Sequence, residues 1–313
     1  MGFFFGGGWD PEKDIPSLNG KVIIVTGGNA GLGKETVLQL AKHDPKEIYL
    51  AARTPLKAEE AIAQVKKTVP NGKVSFLQLD LSSFDSIKKA ANEFKDKNDR
   101  LDILINNAGI MATPYSLTKE GYEIQFGTNH VGHALLTKLL LPTMLKTAER
   151  PEADVRVINV SSVAHTRAPN GGIIFSQQDL EKIGPWARYG QAKLANILHA
   201  RELQRRYPAI TATSIHPGVI MTDLYNPMQK FTFGAGAFTT FMKGATKAGF
   251  VYDVPKGTRN QLWCATADRE TVRSSWYWKP VGIKAPGTQY AQDEQLARKL
   301  WDWTEEELQK HGC

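Results

Sequence analysis

The sequence predicts an α/β fold: a single doubly wound parallel sheet of about seven strands with helices on both faces. Two observations predict it. Short runs rich in Val and Ile recur along the chain, and windows of helical period separate them. The runs are apolar throughout rather than at alternate positions, which marks strands buried on both faces. Strands alternating with helices imply parallel neighbours joined by right-handed crossovers.

Lys21–Thr26, reading KVIIVT, opens the sheet, and a helical window at 33–43 returns the chain to a second strand, Glu47–Ala52. The window at 57–68 leads to Val74–Leu79, and that at 84–97 to Leu101–Ile105. A long window at 130–148 precedes Val155–Val160, and one at 190–206 precedes Ile210–Ile215. Trp276–Trp278 reads as the last strand, and the amphipathic pattern from about 291 to 310 as a C-terminal helix packed on the core. No repeat or low-complexity linker divides the chain. The expected organisation is an N-terminal extension, 1–19, and one domain, 20–313. Residues 224–255 stand apart: no acidic residue lies between Leu224 and Tyr252, while Phe231, Phe233, Phe238 and Phe241 crowd the middle. Three readings fit them: core helices, a lid over a lipophilic substrate with Gly234, Gly236 and Gly244 as hinges, or a surface in peripheral membrane contact.

With 42% hydrophobic and 23% charged residues the chain is an ordinary globular one, which excludes wholesale disorder, collagen-like and coiled-coil architectures. The formal net charge of +7 suits an anionic ligand. No basic run of five, zinc spacing or RNA-binding aromatic motif accompanies it, so no nucleic-acid partner is expected. Two cysteines, Cys264 and Cys313, are too few for a disulfide framework and favour a reducing compartment, the cytoplasm. No apolar stretch reaches the length of a membrane span, and Met1–Trp9, though apolar, lacks the basic flank of a signal peptide. His130, His133, His165 and His216 show no metal-ligand spacing; they read as structural, and no metal is expected.

Thr26-Gly27-Gly28-Asn29-Ala30-Gly31-Leu32-Gly33 joins the first strand directly to a helix. Glycines at 27, 31 and 33 leave room for a tight turn and for a ligand to approach the backbone. The following helix presents free N–H groups and the positive end of its dipole to a pyrophosphate. A glycine-rich turn is common, but its place between buried strand and helix is what dinucleotide binding requires. A carboxylate ending the second strand would bind the ribose diol of NAD. Arg53 stands there instead, a fork of donors matched to a 2′-phosphate, with Lys57 or Lys34 to assist, so NADP(H) is favoured over NAD(H). Asp80 and Leu81 end the third strand where adenine would lie; Asp80 also suits a helix cap beside Ser82 and Ser83.

Tyr189 and Lys193 share one helix face at a spacing of four. A free phenol has a pKa of about 10. A neighbouring ammonium stabilises the phenolate and brings proton transfer within reach of neutral pH. Such pairs also arise by chance on amphipathic helices. Ser162 follows the fifth strand, at the carboxyl end of the sheet where ligands of open α/β sheets bind. Its hydroxyl can donate to a substrate carbonyl, or merely cap the next segment.

Together these residues resemble one known family, the short-chain dehydrogenases/reductases. The resemblance covers 20–225 and rests on five motifs in order: Thr26-Gly27-x-x-x-Gly31-x-Gly33; Asn106-Asn107-Ala108-Gly109; Asn129; Ser162 with Tyr189-x-x-x-Lys193; and Pro217-Gly218-x-x-x-Thr222. Asn129-His-Val-Gly-His133 and Asn159-Val-Ser-Ser-Val-Ala-His165 are most similar to the retinol dehydrogenase branch, which also holds the oxidoreductase domain found with WW modules. The resemblance implies roles. Tyr189 exchanges the proton, Lys193 lowers its pKa and holds the nicotinamide ribose, Ser162 polarises the carbonyl, and Asn129 holds a water in the proton path. Gly27, Asn29, Gly31, Leu32 and Gly33 cradle the cofactor. Asn107, Ala108 and Gly109 pass beside it, and Pro217, Gly218, Val219 and Thr222 secure its nicotinamide end.

Two departures matter. The serine-to-tyrosine gap of 27 residues suits the retinol-like branch rather than compact members of the family. Asn29 stands where many NADP-using members carry a basic residue, which leaves the cofactor choice on Arg53. The expected activity is hydride transfer between NADP(H) and a carbonyl or alcohol of a lipophilic small molecule, a polyketide-like metabolite, a steroid or another lipid, with reduction of a ketone or aldehyde favoured. The alternative is a non-catalytic NADP(H) sensor or scaffold, which needs the turn but not the proton-transfer group. The resemblance also implies homo-oligomers paired through helices 130–148 and 190–206, unless a C-terminal extension blocks them.

Overall fold

The structure is a computed structural model that describes residues 8–220 and 252–313. A short helix, α1 (Pro11–Asp14), precedes β1 (Val22–Thr26), α2 (Gly31–Ala41), β2 (Glu47–Ala52), α3 (Pro55–Thr68), β3 (Val74–Gln78), α4 (Phe84–Lys97) and β4 (Ile103–Asn106). Next, α5 (Ile124–Phe126), a π-helical turn (Gly127–Val131) and α6 (Gly132–Ala148) run on as one element into β5 (Arg156–Val160). A 3-10 turn (Val163–Arg167), α7 (Gln177–Glu181) and α8 (Pro185–Arg206) lead to β6 (Thr211–Ile215). The chain then forms α9 (Val254–Thr266), α10 (Arg269–Arg273), β7 (Tyr277–Lys279), β8 (Ile283–Lys284), α11 (Gln289–Gln292) and α12 (Glu294–Lys310).

The strands make one sheet in the order β3-β2-β1-β4-β5-β6-β7-β8. Every pairing is parallel except the last, β7 with β8. That is one strand more than the sequence predicts. β8 is two exposed residues, too short to leave a hydrophobic pattern. The continuous apolar runs are the central strands: β1, β4, β5 and β6 are buried at every position. β3 lies at the sheet edge and exposes Ser75 and Gln78, as a strand with one covered face does.

Two layers of helix close the core. Val37 and Leu40 of α2, Ala58 and Val65 of α3, and Leu262 and Ala265 of α9 cover one face. Phe84, Ile87 and Phe94 of α4, Leu135 and Leu140 of α6, Leu194 and Leu198 of α8, and Leu300 and Leu308 of α12 cover the other. α8 starts at Pro185, five residues before the predicted window, because proline suits the first turn of a helix. Tyr189 therefore sits in the second turn. The element holding α6 starts at Ile124, where the π turn blurs the helical period. The predicted C-terminal helix is two, broken at Asp293, whose carboxylate accepts from Leu296 N–H and caps α12.

α12 lies across α8. Trp301 stacks on His199 with rings 5.2 Å apart, Arg201 pairs with Glu294 at 2.7 Å, and Lys138 of α6 pairs with Glu305 at 2.6 Å. Residues 221–251, and with them most of the predicted lid and Thr222, lie outside the described residues. Among the described residues no helix is long and apolar enough to cross a membrane.

Candidate active site

From β1 the chain runs outward one way to β2 and β3, and the other way to β4, so the switch point falls between β1 and β4. A cleft of about 520 Å³ opens there, at the carboxyl ends of the strands. The glycine turn forms its floor. Gly27 sits at φ +67°, and a Cβ on it would lie 3.0 Å from Ala108 Cα. A Cβ on Gly33 would lie 2.2 Å from the Gly27 carbonyl oxygen, so only glycine lets α2 start this close to the turn. Ala30, the N-cap of α2, makes no side-chain bond to the helix, and the first turn carries no acid. The opening N–H groups of α2 are thus available to an anion, and this cradle fits a pyrophosphate.

Asn29, Gly31, Leu32, Asp80, Leu81 and Arg53 share the cleft wall with Lys57. Arg53 is exposed and has no ion pair among the described residues. Lys34 is turned away: its Nζ donates to Gln64 Oε1 at 2.8 Å. Asp80 is not a helix cap: the N-cap of α4 is Ser83, whose side chain accepts from Ser86 N–H. Asp80 faces the cleft, and its Oδ1 accepts from the Ser82 N–H (2.9 Å) and hydroxyl (2.6 Å).

The inner wall is the end of β4. Asn107 and Ala108 N–H both donate to Thr26 Oγ1 at 2.9 Å, and Asn107 Nδ2 donates to Thr26 O at 2.8 Å. Asn129, in the π turn, is fully buried behind this wall rather than on it. Its side-chain oxygen accepts from Ile110 N–H and its Nδ2 donates to Ile110 O, each at 2.9 Å. Both ends of the amide are therefore committed to the backbone that carries Gly109.

Ser162, Tyr189 and Lys193 stand on the cleft wall opposite, with Pro217 and Gly218. Lys193 is buried; Nζ donates to Val160 O at 2.8 Å and lies 5.6 Å from the centre of the Tyr189 ring. Burial pushes its pKa down to about 8. Ser161 Oγ fixes the Lys193 carbonyl at 2.7 Å. Tyr189 is buried with Met111 and Ala164, and the Trp186 indole meets its ring edge-on at 6.2 Å. Ser162 caps the 3-10 turn by accepting from Ala164 N–H at 3.1 Å. That bond uses a lone pair and leaves the hydroxyl proton for a substrate oxygen. Val219 is not on the wall; it is 37% exposed, and its carbonyl accepts from Tyr252 N–H at 2.8 Å.

Among the described residues no three His, Cys, Asp or Glu side chains converge as they would around a metal ion. Burial pushes the pKa of His130, His165 and His216 down, and each ring bonds locally, His130 to Thr304 and His165 to the Ser162 carbonyl. Sequence reasoning missed two supports on α9. Asn260 Nδ2 donates to His216 O at 2.9 Å and Trp278 O at 3.0 Å, holding the Pro217 turn. Gln261 Nε2 lies 3.5 Å from Asn107 Oδ1 and also donates to Thr36. Nothing in the sequence marks these two amides as inward-facing. It missed Arg188 as well, buried beside Tyr189 and paired with the buried Glu123 at 3.1 Å. Burial still outweighs that cation and holds the Glu123 carboxyl above its usual range.

Comparison with known proteins places these features among relatives. The family described as short chain dehydrogenase matches residues 21–232. A short-chain dehydrogenase/reductase of Aspergillus calidoustus is 41% identical over 310 residues, covering 95% of this chain and 96% of that protein. Retinol dehydrogenase 12 of Mus musculus is 35% identical, covering 96% and 89%. The crystal structure of an uncharacterised protein of Mycobacterium paratuberculosis superimposes with a TM-score of 0.69 at 32% identity, covering 96% and 97%.

Proposed function

The chain belongs to the short-chain dehydrogenase/reductase family and is an NAD(P)-dependent oxidoreductase acting on the CH–OH/C=O pair; on that premise we propose that it is an NADP(H)-dependent reductase of ketones or aldehydes on lipophilic small molecules. The observation that carries this reading is the meeting of Ser162, Tyr189 and Lys193 with the glycine turn and Arg53 in one cleft. Bound nicotinamide supplies the hydride to the carbonyl carbon. Tyr189 Oη gives its proton to the carbonyl oxygen, and the Ser162 hydroxyl donates a hydrogen bond to the same oxygen. The Lys193 ammonium stabilises the phenolate left behind and binds the nicotinamide ribose. The resemblance gives Asn129 a water in the proton path, but its amide is bonded at both ends to Ile110, so its part here is to hold the backbone carrying Gly109 against Lys193.

Arg53, with Lys57 beside it, binds the 2′-phosphate that distinguishes NADP from NAD. Asp80 and Leu81 border the adenine, Asn107 to Gly109 run along the cofactor, and Pro217 and Gly218 hold its nicotinamide end. Ile110, Met111, Pro217 and Ile220 give the substrate side an apolar lining, which supports a lipophilic substrate, as does the acid-free segment 224–252. Cys264 and Cys313 are free thiols, in keeping with a cytoplasmic location. Purified protein supplied with NADPH and a panel of lipophilic ketones and aldehydes should oxidise the nucleotide. Tyr189→Phe should abolish turnover while nucleotide binding persists. Binding without turnover across the panel would return the sensor reading, and unchanged turnover in the Phe variant would remove Tyr189 from the reaction.

A further inference from the structure

His133 belongs to the motif Asn129-His-Val-Gly-His133 but lies one helical turn beyond Asn129, and nothing in the proposed chemistry uses it. Its ring is 4% exposed. Nδ1 lies 3.0 Å from the Asn129 carbonyl oxygen, and Nε2 lies 2.9 Å from Thr26 Oγ1. A carbonyl can only accept, so Nδ1 carries the proton and Nε2 is a lone pair. Thr26 Oγ1 already accepts from the N–H groups of Asn107 and Ala108. A hydroxyl oxygen has two lone pairs and one proton. The proton has two acceptors, His133 Nε2 at 2.9 Å and Ile105 O at the longer 3.4 Å, and the shorter contact takes it. The network is then fully satisfied in one direction: Asn107 and Ala108 amides to Thr26, Thr26 to His133, and His133 to Asn129.

Segment 107–110 is thereby clamped at both ends, by Thr26 at its start and by the Asn129 side chain at Ile110. His133 joins the two clamps. Between them sits Gly109, where an added Cβ would lie 3.2 Å from Asn129 Oδ1 and 3.4 Å from Lys193 Nζ. We propose that His133 is a positioning residue: a neutral strut that fixes the cofactor-side wall to the Asn129 peptide, so that cofactor seating and the proton path share one register. It exchanges no proton itself. Burial pushes its pKa down to about 3, and both ring nitrogens are committed.

The two links can be cut separately. In His133→Asn the amide nitrogen can take the place of Nδ1 and keep the Asn129 bond, but nothing reaches Thr26. In His133→Gln the amide oxygen can take the place of Nε2 and keep the Thr26 bond, but the donor to Asn129 is lost. NADPH affinity is read from nucleotide fluorescence, kcat at saturating NADPH with the best carbonyl substrate, and folding from the thermal midpoint. We expect His133→Asn to lose about tenfold in NADPH affinity with kcat within about twofold of the parent, and His133→Gln to show the reverse split. His133→Phe should lose both.

Equal losses in the Asn and Gln variants, tracking their thermal midpoints, would reduce His133 to core packing and overturn the proposal. So would a Phe variant with parental constants. If the ring variants fail to fold, Thr26→Val keeps the shape and removes the hydroxyl; parental NADPH affinity in that variant overturns the strut. The inference rests on the proposed reductase reading. The order of NADPH affinities (parent and Gln above Asn) needs no turnover, so it judges the strut even if every carbonyl fails and that reading falls.

Discussion

Replacing Lys193 with Met should leave the protein inactive yet more stable. The Lys193 side chain is buried, and burial drops its pKa from an ordinary 10.5 to about 8. At about 1.4 kcal/mol per tenfold change, keeping that ammonium charged inside the fold costs about 3 kcal/mol. The unfolded chain keeps the proton up to pH 10.5, whereas the folded chain releases it near pH 8. Between those values the unfolded state binds more protons, so the stability of the parent rises with pH; below pH 8 the cost is complete. Methionine matches the stem without the charge. The bond lost, Lys193 Nζ to Val160 O, does not orphan that carbonyl, because Asn196 Nδ2 also donates to it at 3.1 Å. Urea unfolding of the nucleotide-free protein should therefore find Lys193→Met more stable by about 2 kcal/mol at pH 7, after about 1 kcal/mol for the lost bond. The gap should shrink steadily from pH 8 to pH 10. A variant less stable than the parent at pH 7, or a gap indifferent to pH, would refute the reasoning. Turnover should fall at least about a hundredfold, because the phenolate of Tyr189 loses its cation.

Three further outcomes are expected. Arg53→Ala should raise the KM for NADPH about ten- to a hundredfold and leave that for NADH unchanged, since only the former carries the 2′-phosphate; equal effects on both would leave Arg53 without a role in cofactor choice. Burial pushes His133 to about 3, and His199 and His216 to about 4, from an ordinary 6.5. Below pH 6.5 the unfolded chain therefore takes up protons that the folded one refuses, and stability should fall from pH 6.5 towards pH 4 by about 1.4 kcal/mol per pH unit for each histidine. Thermal midpoints that stay flat over that range would contradict neutral buried rings. Arg188→Met should cost about 3–5 kcal/mol by leaving the Glu123 carboxylate buried without its partner, and adding Glu123→Leu should recover most of the loss; the double variant, compared with both singles by urea unfolding, tests the coupling.

Much of the architecture was legible from periodicity alone. β1, β4, β5 and β6 read as buried strands because every one of their positions is covered, and a residue type that avoids water leaves its mark in composition. The glycine turn was legible for a similar reason. A Cβ at Gly33 would overlap the Gly27 carbonyl, and a steric demand of that kind allows a single residue type. Tyr189 and Lys193 were legible because four residues is a local helical spacing. Local constraints of this kind act through neighbours in the chain, so they are written in its order.

Tertiary structure decided what depends on partners far along the chain. The sequence offers Lys57 or Lys34 alike as an aid to Arg53, yet Gln64 claims Lys34 and leaves Lys57 on the cleft wall with Arg53. Asn129 is set behind the wall by two bonds to Ile110, and His133 gains a meaning only because β1 brings Thr26 to it from 107 residues away. Asn260 and Gln261 are ordinary polar letters until α9 packs them under the Pro217 turn and Asn107. A hydrogen bond is short-ranged and directional; which donor meets which acceptor is settled when the layers close, and no window of sequence contains both ends.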